Sequence, residues 1–525
     1  MAAMSEPDPD SSTGATRAET SPPRAVTEPT RAATEPTRAM TERTRAVTER
    51  TRAVTEPTRA ATERMRAAGA HEEAIRAFGR ACERLHSGER TLLPTSDLDP
   101  VGDVSRLDEL ACPDPGAALE GVAVIKLNGG LATTMGLRGP KSLVQAREGR
   151  SFLEIIVGQV LSLRRRHGVR LPLLLMNSRA TRSETLANLE AHPDLPVDGL
   201  PLDFLQSMVP KLRADTLEPV RWPSEPELEW CPPGHGDVYG ALRRSGALRA
   251  LLERGISHAM ISNADNLGAT VDPRIAEHMR SRRIPFLMEV VRGTEADRKG
   301  GHLARRRADG RLVLRETAQT PPEDADSFRD HRRWRWYNTN SVWVDLRAVK
   351  AALDASGGVL DLPLIVNRKT VDPRDPDSIP VIQLESAMGA AIGSFERAEL
   401  LHVPRTRFAP VKTTDDLLVL RSDFYELDRD LAVRPVAGRE DDPPYVELDS
   451  RFYRLIDAFE ARFPEGPPSL REATRLVVRG DVTFRAGVRV RGDVTLEAPE
   501  PREIAAGTIL QGPVGAATRQ EEVPR

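Results

Sequence analysis

The stretch Val124-Ile125-Lys126-Leu127-Asn128-Gly129-Gly130-Leu131-Ala132-Thr133-Thr134-Met135-Gly136-Leu137-Arg138-Gly139-Pro140-Lys141-Ser142 joins an apolar run to a glycine-rich loop. The run, from Gly121 to Leu127, has the length and composition of a buried strand. In the loop, the glycines at 129, 130, 136 and 139 free backbone N–H groups to turn toward an anion and let a phosphate approach where a Cβ would block it. Pro140 fixes the backbone before Lys141, the only lysine between Lys126 and Lys211 and a natural point charge for a phosphate. A Walker loop needs Gly-Lys-Ser or Gly-Lys-Thr in succession, which Pro140 interrupts, and no G-x-G-x-x-G fingerprint occurs here. The loop therefore reads as a cradle for a nucleoside triphosphate of another kind.

Composition bounds what surrounds it. The 525 residues exceed one ordinary core, but 42 prolines and an Arg-rich low-complexity front keep part of the chain out of any core. A formal net charge of -3 gives no basic excess to attract nucleic acid, so small substrates are expected. Cys82, Cys112 and Cys231 are too few and scattered for a disulfide framework or a zinc site, and a reducing cytoplasm is expected. No run approaches the roughly 18 apolar residues of a membrane span, and the acidic, proline-rich front is not a secretory signal.

From Ala25 to Arg66 the sequence repeats every seven residues, AVTEPTR through AATERMR. The period invites a coiled-coil reading, yet each repeat lacks an a/d pair and Pro29, Pro36 and Pro57 interrupt a helix. Residues 1–70 are thus expected to be a disordered tail, with a transient helix possible near Met40 to Thr55. Residues 71–120 open with a helix over His71 to Leu85 and continue as mixed loop. Residues 121–425 alternate short apolar runs (Val122 to Leu127, Leu171 to Met176, Leu202 to Leu205, Ala259 to Ser262, Phe286 to Val291, Ser341 to Val344) with helical patterns. The helices are expected at Ser151 to Arg166, Thr181 to Glu190, Asp237 to Glu253 and Pro273 to Ser281. This alternation predicts an α/β fold, a doubly wound, mixed but mostly parallel sheet with its ligand at the carboxyl ends of the strands. In residues 426–525, Leu476, Val482, Val488 and Val494 recur every six residues, and Arg-Gly-Asp-Val occurs twice. That period suggests a C-terminal parallel β-helix whose open end can dock on another chain; a hairpin finishing the main domain is the simpler alternative.

Four further stretches carry polar residues at strand ends or loops. Pro233-Gly234-His235-Gly236-Asp237 precedes a helix, so His235, otherwise a residue type more often structural or solvated, lies where an anion is favoured. Asn263-Ala264-Asp265-Asn266 ends an apolar strand; Asp265 there could hold Mg²⁺, which takes one or two carboxylates, although an Asx turn or cap is the commoner fate of such residues. Tyr337-Asn338-Thr339-Asn340 offers amides suited to a neutral polyol. Pro410-Val411-Lys412-Thr413 supplies a second isolated lysine, ordinarily a solvated charge.

KLNGGLATTMGLRGPKS, followed by these four stretches in order, resembles the eukaryotic-type UTP–glucose-1-phosphate uridylyltransferases, the UDP-glucose pyrophosphorylases. The resemblance covers roughly Val122 to Arg421 and, more weakly, the C-terminal hexapeptides. It implies a GT-A-like nucleotidyltransferase domain with a C-terminal β-helix. It implies that UTP is held by Leu127, Asn128, Gly129, Gly130, Lys141, Gln206, Gly234, Asn263, Asp265 and Lys412. The sugar phosphate would fall to Gly129, Gly130, His235, Asn263, Ala264, Asp265 and Asn340, and Mg²⁺ to Asp265. The implied chemistry is direct attack by glucose 1-phosphate on the α-phosphorus of UTP, with Lys141 and Lys412 offsetting anionic repulsion and no general base. Ala132, Ala264 and His302 depart from the residues usual in the family. Another sugar 1-phosphate, or a non-catalytic nucleotide-sugar sensor, remains an alternative, and a homo-oligomer through the β-helix is the expected assembly.

Overall fold

In the computed structural model the described residues are 56–512, apart from 89–91, 133–134, 138, 299 and 440–441. Seven strands build the frame of the central sheet: β1 (Val122–Asn128), β2 (Leu173–Asn177), β3 (Asp203–Leu205), β4 (His258–Asn263), β5 (Phe286–Arg292), β6 (Trp336–Asp345) and β7 (Glu399–His402). They lie in the order β7-β5-β6-β4-β1-β2-β3, with Ser105–Arg106 added beyond β7. All run the same way except β6, which is antiparallel to both β4 and β5. Along β1, Val122 and Val124 face one apolar core while Ala123 and Ile125 face another, and β2 and β4 divide their residues in the same way. A sheet apolar on both faces needs cover on both, and this is why its strands read as continuous apolar runs in sequence.

The helices expected between strands are present, with ends set by local chemistry. Ser151 and Glu154 form a capping box at the start of Phe152–His167, and Gly168, at φ +67°, closes it. The single helix expected over Asp237 to Glu253 is instead two, Val238–Arg244 and Ala247–Glu253, because Gly246 takes φ +79° between them. The strand expected over Ser341 to Val344 is longer: β6 starts at Trp336 and carries a bulge, since Met288 faces Val342 but Val290 faces Asn338.

The expected tail boundary at residue 70 is too late. Residues 56–67 form a helix that buries Ala61 and Met65. Pro57 falls in its first turn, where the missing N–H costs nothing. The heptads from residue 25 to 55, including the helix considered near Met40, lie outside the described residues. The expected helix at His71 to Leu85 is present as Glu72–His86.

After Leu427 the chain builds a second, wholly parallel sheet of β8 (Tyr445–Leu448), β9 (Ser469–Phe484), β10 (Arg489–Ile504) and β11 (Ile509–Gln511). Leu476, Val482, Val488 and Val494, the residues of the six-residue period, are all fully buried. Gly480, at φ +105°, is required here, because a Cβ would stand 1.9 Å from the Ala498 carbonyl oxygen of the neighbouring strand. This part of the chain is tied to the helix Thr414–Arg421 and to the glycine-rich loop. The Tyr453 hydroxyl donates to Val482 O at 2.5 Å, while Tyr453 O accepts from Thr414 Oγ1 at 2.8 Å. Leu448 N donates to Asp415 Oδ1 at 3.0 Å, and Leu455 packs against Gly136 of the glycine-rich loop. Among the described residues no helix is long and apolar enough to cross a membrane.

Candidate active site

The parallel register places the ends of β1 and β4 side by side, Leu127 opposite Asn263. Ser262 in turn faces Ser341 of β6, so Asn340 follows at the same edge of the sheet. Three of the sequence-derived stretches therefore meet at one rim because of strand order alone.

The glycine-rich loop leaves β1 and returns to it. Lys141 N donates to Gly130 O at 3.1 Å and Ala132 N to Gly139 O at 3.2 Å, closing the neck. Gly129 and Gly130 serve different ends. A Cβ on Gly129 would stand 2.4 Å from Gln206 Nε2, so that glycine admits the Gln206 carboxamide, whose backbone N–H is held by Asn177 O at 2.9 Å. A Cβ on Gly130 would meet nothing within 4 Å, which leaves its backbone open to a ligand. The Asn128 side chain turns away from this rim. Its Nδ2 donates to Asn177 Oδ1 at 2.7 Å and Thr185 Oγ1 at 2.9 Å in the interior.

Past the neck, Lys141 Nζ donates to Asp265 Oδ2 at 2.6 Å, both side chains being about four-fifths buried. Asp265 Oδ1 is buried with no hydrogen-bond partner. An unpartnered buried carboxylate oxygen is the kind of donor a Mg²⁺ ion uses, and Mg²⁺ needs only one or two such carboxylates because phosphates and waters fill the rest. Among the described residues no group of three or more His, Cys, Asp or Glu gathers as an all-protein metal cage. The neighbouring Asn266 takes the turn role: its Oδ1 accepts from Gly268 N at 3.2 Å and Ala409 N at 3.1 Å. Asp265 O accepts from Val411 N at 3.1 Å, and Asn266 bridges Pro410, so Lys412 is anchored beside Asp265 with its side chain exposed. Ala264 is buried, and its N–H donates to Leu127 O at 3.2 Å.

His235 stands on a separate wall. Gly234 has φ +80°, and a Cβ there would lie 2.4 Å from Ser386 O. Ser386 also pairs with Pro233 O and Gly236 N, each at 2.9 Å. His235 Nδ1 accepts from Met388 N at 3.0 Å, which leaves the ring proton on Nε2. Burial pushes the imidazole down to about 4, so His235 is a neutral donor at physiological pH. The same turn reaches the amides of the β6 bulge: Asn338 Nδ2 would lie 3.4 Å from a Cβ on Gly389. Asn340 sits at the β6 bulge with φ +54°, a backbone asparagine tolerates better than most side chains. Asn338 and Asn340 fix each other: Asn338 Nδ2 donates to Asn340 Oδ1 and Asn340 N donates to Asn338 Oδ1, at 2.8 Å each.

Several residues around this rim escape the sequence reading. Glu316 lies against Gly301, where a Cβ would come within 2.6 Å of its Oε1; burial raises its carboxyl, opposed by Lys412. Behind Asp265, Lys126 is 2% exposed and donates to Ser262 Oγ at 2.9 Å and Ala269 O at 2.7 Å. Its ammonium is lowered to about 7, by burial first and by Arg407 second, against the pull of Glu289 and Asp265. Arg407 pairs with both oxygens of buried Glu289 at 2.7 Å. The Trp343 indole N–H also donates to Glu289 Oε1. A lysine inside VAVIKLN was a visible signal, since a charge in a doubly covered strand needs a reason; Glu316 and Glu289 gave none.

Residues 84–491 match the family model described as UTP–glucose-1-phosphate uridylyltransferase. The barley UTP–glucose-1-phosphate uridylyltransferase is 39% identical over 450 residues, 84% of this chain and 91% of that one. Among solved structures, the UDP-glucose phosphorylase of Trypanosoma brucei superposes with a TM-score of 0.83 at 43% identity, covering 88% of this chain and all of its own. A Leishmania major UDP-glucose pyrophosphorylase variant in complex with UDP-glucose gives 0.83 at 41% identity, covering 88% of this chain and 99% of its own. The chain belongs to the UTP–glucose-1-phosphate uridylyltransferase family of nucleotidyltransferases.

Proposed function

We propose that this protein transfers the uridylyl group of UTP to glucose 1-phosphate, forming UDP-glucose and releasing pyrophosphate. The observation that carries the reading is the Lys141–Asp265 pair at the mouth of the glycine-rich loop, a cation and a carboxylate 2.6 Å apart beyond the carboxyl ends of the parallel strands β1 and β4. The similarity of nearly the whole chain to proteins named for this reaction supports it.

Both reactants are anions, so alignment and charge compensation are the main tasks, and a phosphate monoester already ionised at neutral pH needs no general base. Gly130 and the loop backbone receive the triphosphate, Gln206 and Gly234 flank the nucleotide, and Lys141 and Lys412 counter its charge. His235 donates from Nε2 to the sugar phosphate, and Asn340 meets the sugar. Mg²⁺, held by Asp265, would neutralise phosphate charge.

In the C-terminal sheet we read the coils of a parallel β-helix. Leu476 faces Val494 and Phe484 faces Ile504, so one strand meets the next eighteen to twenty residues on, three six-residue sides to a coil. Its open end is suited to a second copy of the chain. The three unpaired cysteines suit a reducing cytoplasm.

Pyrophosphate release from UTP, with Mg²⁺ and a panel of sugar 1-phosphates, tests the reading. Release dependent on glucose 1-phosphate is expected. Release with a different sugar alone would move the specificity, and UTP binding without any release would indicate a sensor.

A further inference from the structure

Lys126 occupies the interior of β1, and among the described residues no carboxylate lies within ion-pair distance of its ammonium. Burying a charge on such terms destabilises a core, and an apolar residue of the same length would ordinarily serve better. What the ammonium does is join two ends of one loop. Ser262 precedes the loop that carries Asp265, and Ala269 closes it, and Lys126 Nζ donates to both. The next carbonyl, Thr270 O, accepts from Arg407 Nη2 at 2.7 Å, while Arg407 O accepts from Asn266 Nδ2 at 3.1 Å inside the loop. Arg407 is itself oriented by Glu289, whose backbone O accepts from Thr339 Oγ1 at 2.7 Å in the bulge that holds Asn340. Lys126 and Arg407 thus grip the consecutive carbonyls of Ala269 and Thr270, where the loop that carries Asp265 toward Lys141 closes.

We propose that Lys126 and Arg407 are positioning residues for uridylyl transfer, which hold the Asp265 carboxylate at its working distance from Lys141 without touching substrate. The proposal rests on the role given to Asp265 above. Neither residue belongs to the contact set implied by family resemblance; both are assigned from their hydrogen bonds.

A double-mutant cycle on the full-length protein tests it, with pyrophosphate release as the readout and UDP-glucose binding and thermal unfolding as checks of the fold. Lys126→Met is expected to lower kcat by about 10- to 100-fold, since misplacing a catalytic group by around 1 Å has that effect, while KM for UTP changes less than about threefold. In an Asp265→Glu background, which keeps a carboxylate but displaces it, the same change is expected to cost less than about twofold. Equal losses in both backgrounds, or a fully active Lys126→Met enzyme beside an inactive Asp265→Asn enzyme, would overturn the clamp alone. A fully active Asp265→Asn enzyme would overturn the underlying assignment of Asp265. If Lys126→Met does not fold, Arg407→Lys, which keeps a donor near Thr270 O and the charge facing Glu289, is read in the same cycle with the same expectations.

Discussion

Lys141 Nζ and Asp265 Oδ2 share a hydrogen bond of 2.6 Å, while the other oxygen of Asp265 is buried without a partner. The cation that would meet a phosphate and the carboxylate that would meet a metal therefore hold each other before substrate arrives. Lys141→Ala should lower kcat by about 10² to 10³, the usual scale for removing one transition-state charge contact. Steady-state pyrophosphate release gives the number, and a loss below about tenfold would shift the main clamp to Lys412.

Asp265→Asn keeps the shape and one acceptor for Lys141 but removes the charge. Turnover at ordinary Mg²⁺ should vanish while thermal melts still show a cooperative folded state, as the amide oxygen can still accept from Lys141. Chelating divalent cations from the wild-type enzyme should bring it to the same level. Wild-type turnover that survives chelation would remove the metal from the scheme.

Gly234→Ala should destabilise the protein by about 1 to 3 kcal/mol, the scale for a side chain forced into a left-handed backbone. The obstacle 2.4 Å away is backbone, Ser386 O, which cannot swing aside as a side-chain tip could. Urea unfolding measures the loss, and the displaced His235 should raise KM for the sugar phosphate more than KM for UTP. An unchanged midpoint would mean that Ser386 moves freely.

His235 sets a pH window. Its folded value, lowered by burial to about 4, lies below the ordinary 6.5, so between these limits the unfolded chain binds a proton that the folded chain does not. Stability is then lost as pH falls through that range and is fully present above it. The wild type should lose stability relative to His235→Gln between about pH 6.5 and 4, in paired thermal melts. Parallel melting curves would show that the ring is charged in the folded protein.

Much of the fold was legible because β1, β2, β4 and β5 are buried on both faces and so appear as uninterrupted apolar runs between amphipathic stretches. The front half of β6 was not, since Trp336-Tyr337-Asn338-Thr339-Asn340 has no period of two and its bulge depends on pairing with β5. In the site, Lys141, Asp265, His235 and Asn340 drew notice as polar residues at the ends of apolar or glycine-rich segments. Asn128 shows the limit of that reasoning: adjacent to the glycines in sequence, its side chain is spent on Asn177 and Thr185 inside. The Glu289–Arg407 pair joins residues more than a hundred positions apart, and nothing local to either one announces the other.

The contacts of Leu455 with Gly136, Tyr453 with Thr414 and Leu448 with Asp415 have a bearing on shortened forms of this protein. A stop codon or protease cut near residue 430 would spare every side chain assigned to the reaction and still strip the outer support from the glycine-rich loop and from the turn after Lys412. A checklist of catalytic residues would score such a fragment as intact; its failure would lie in what no longer leans on them.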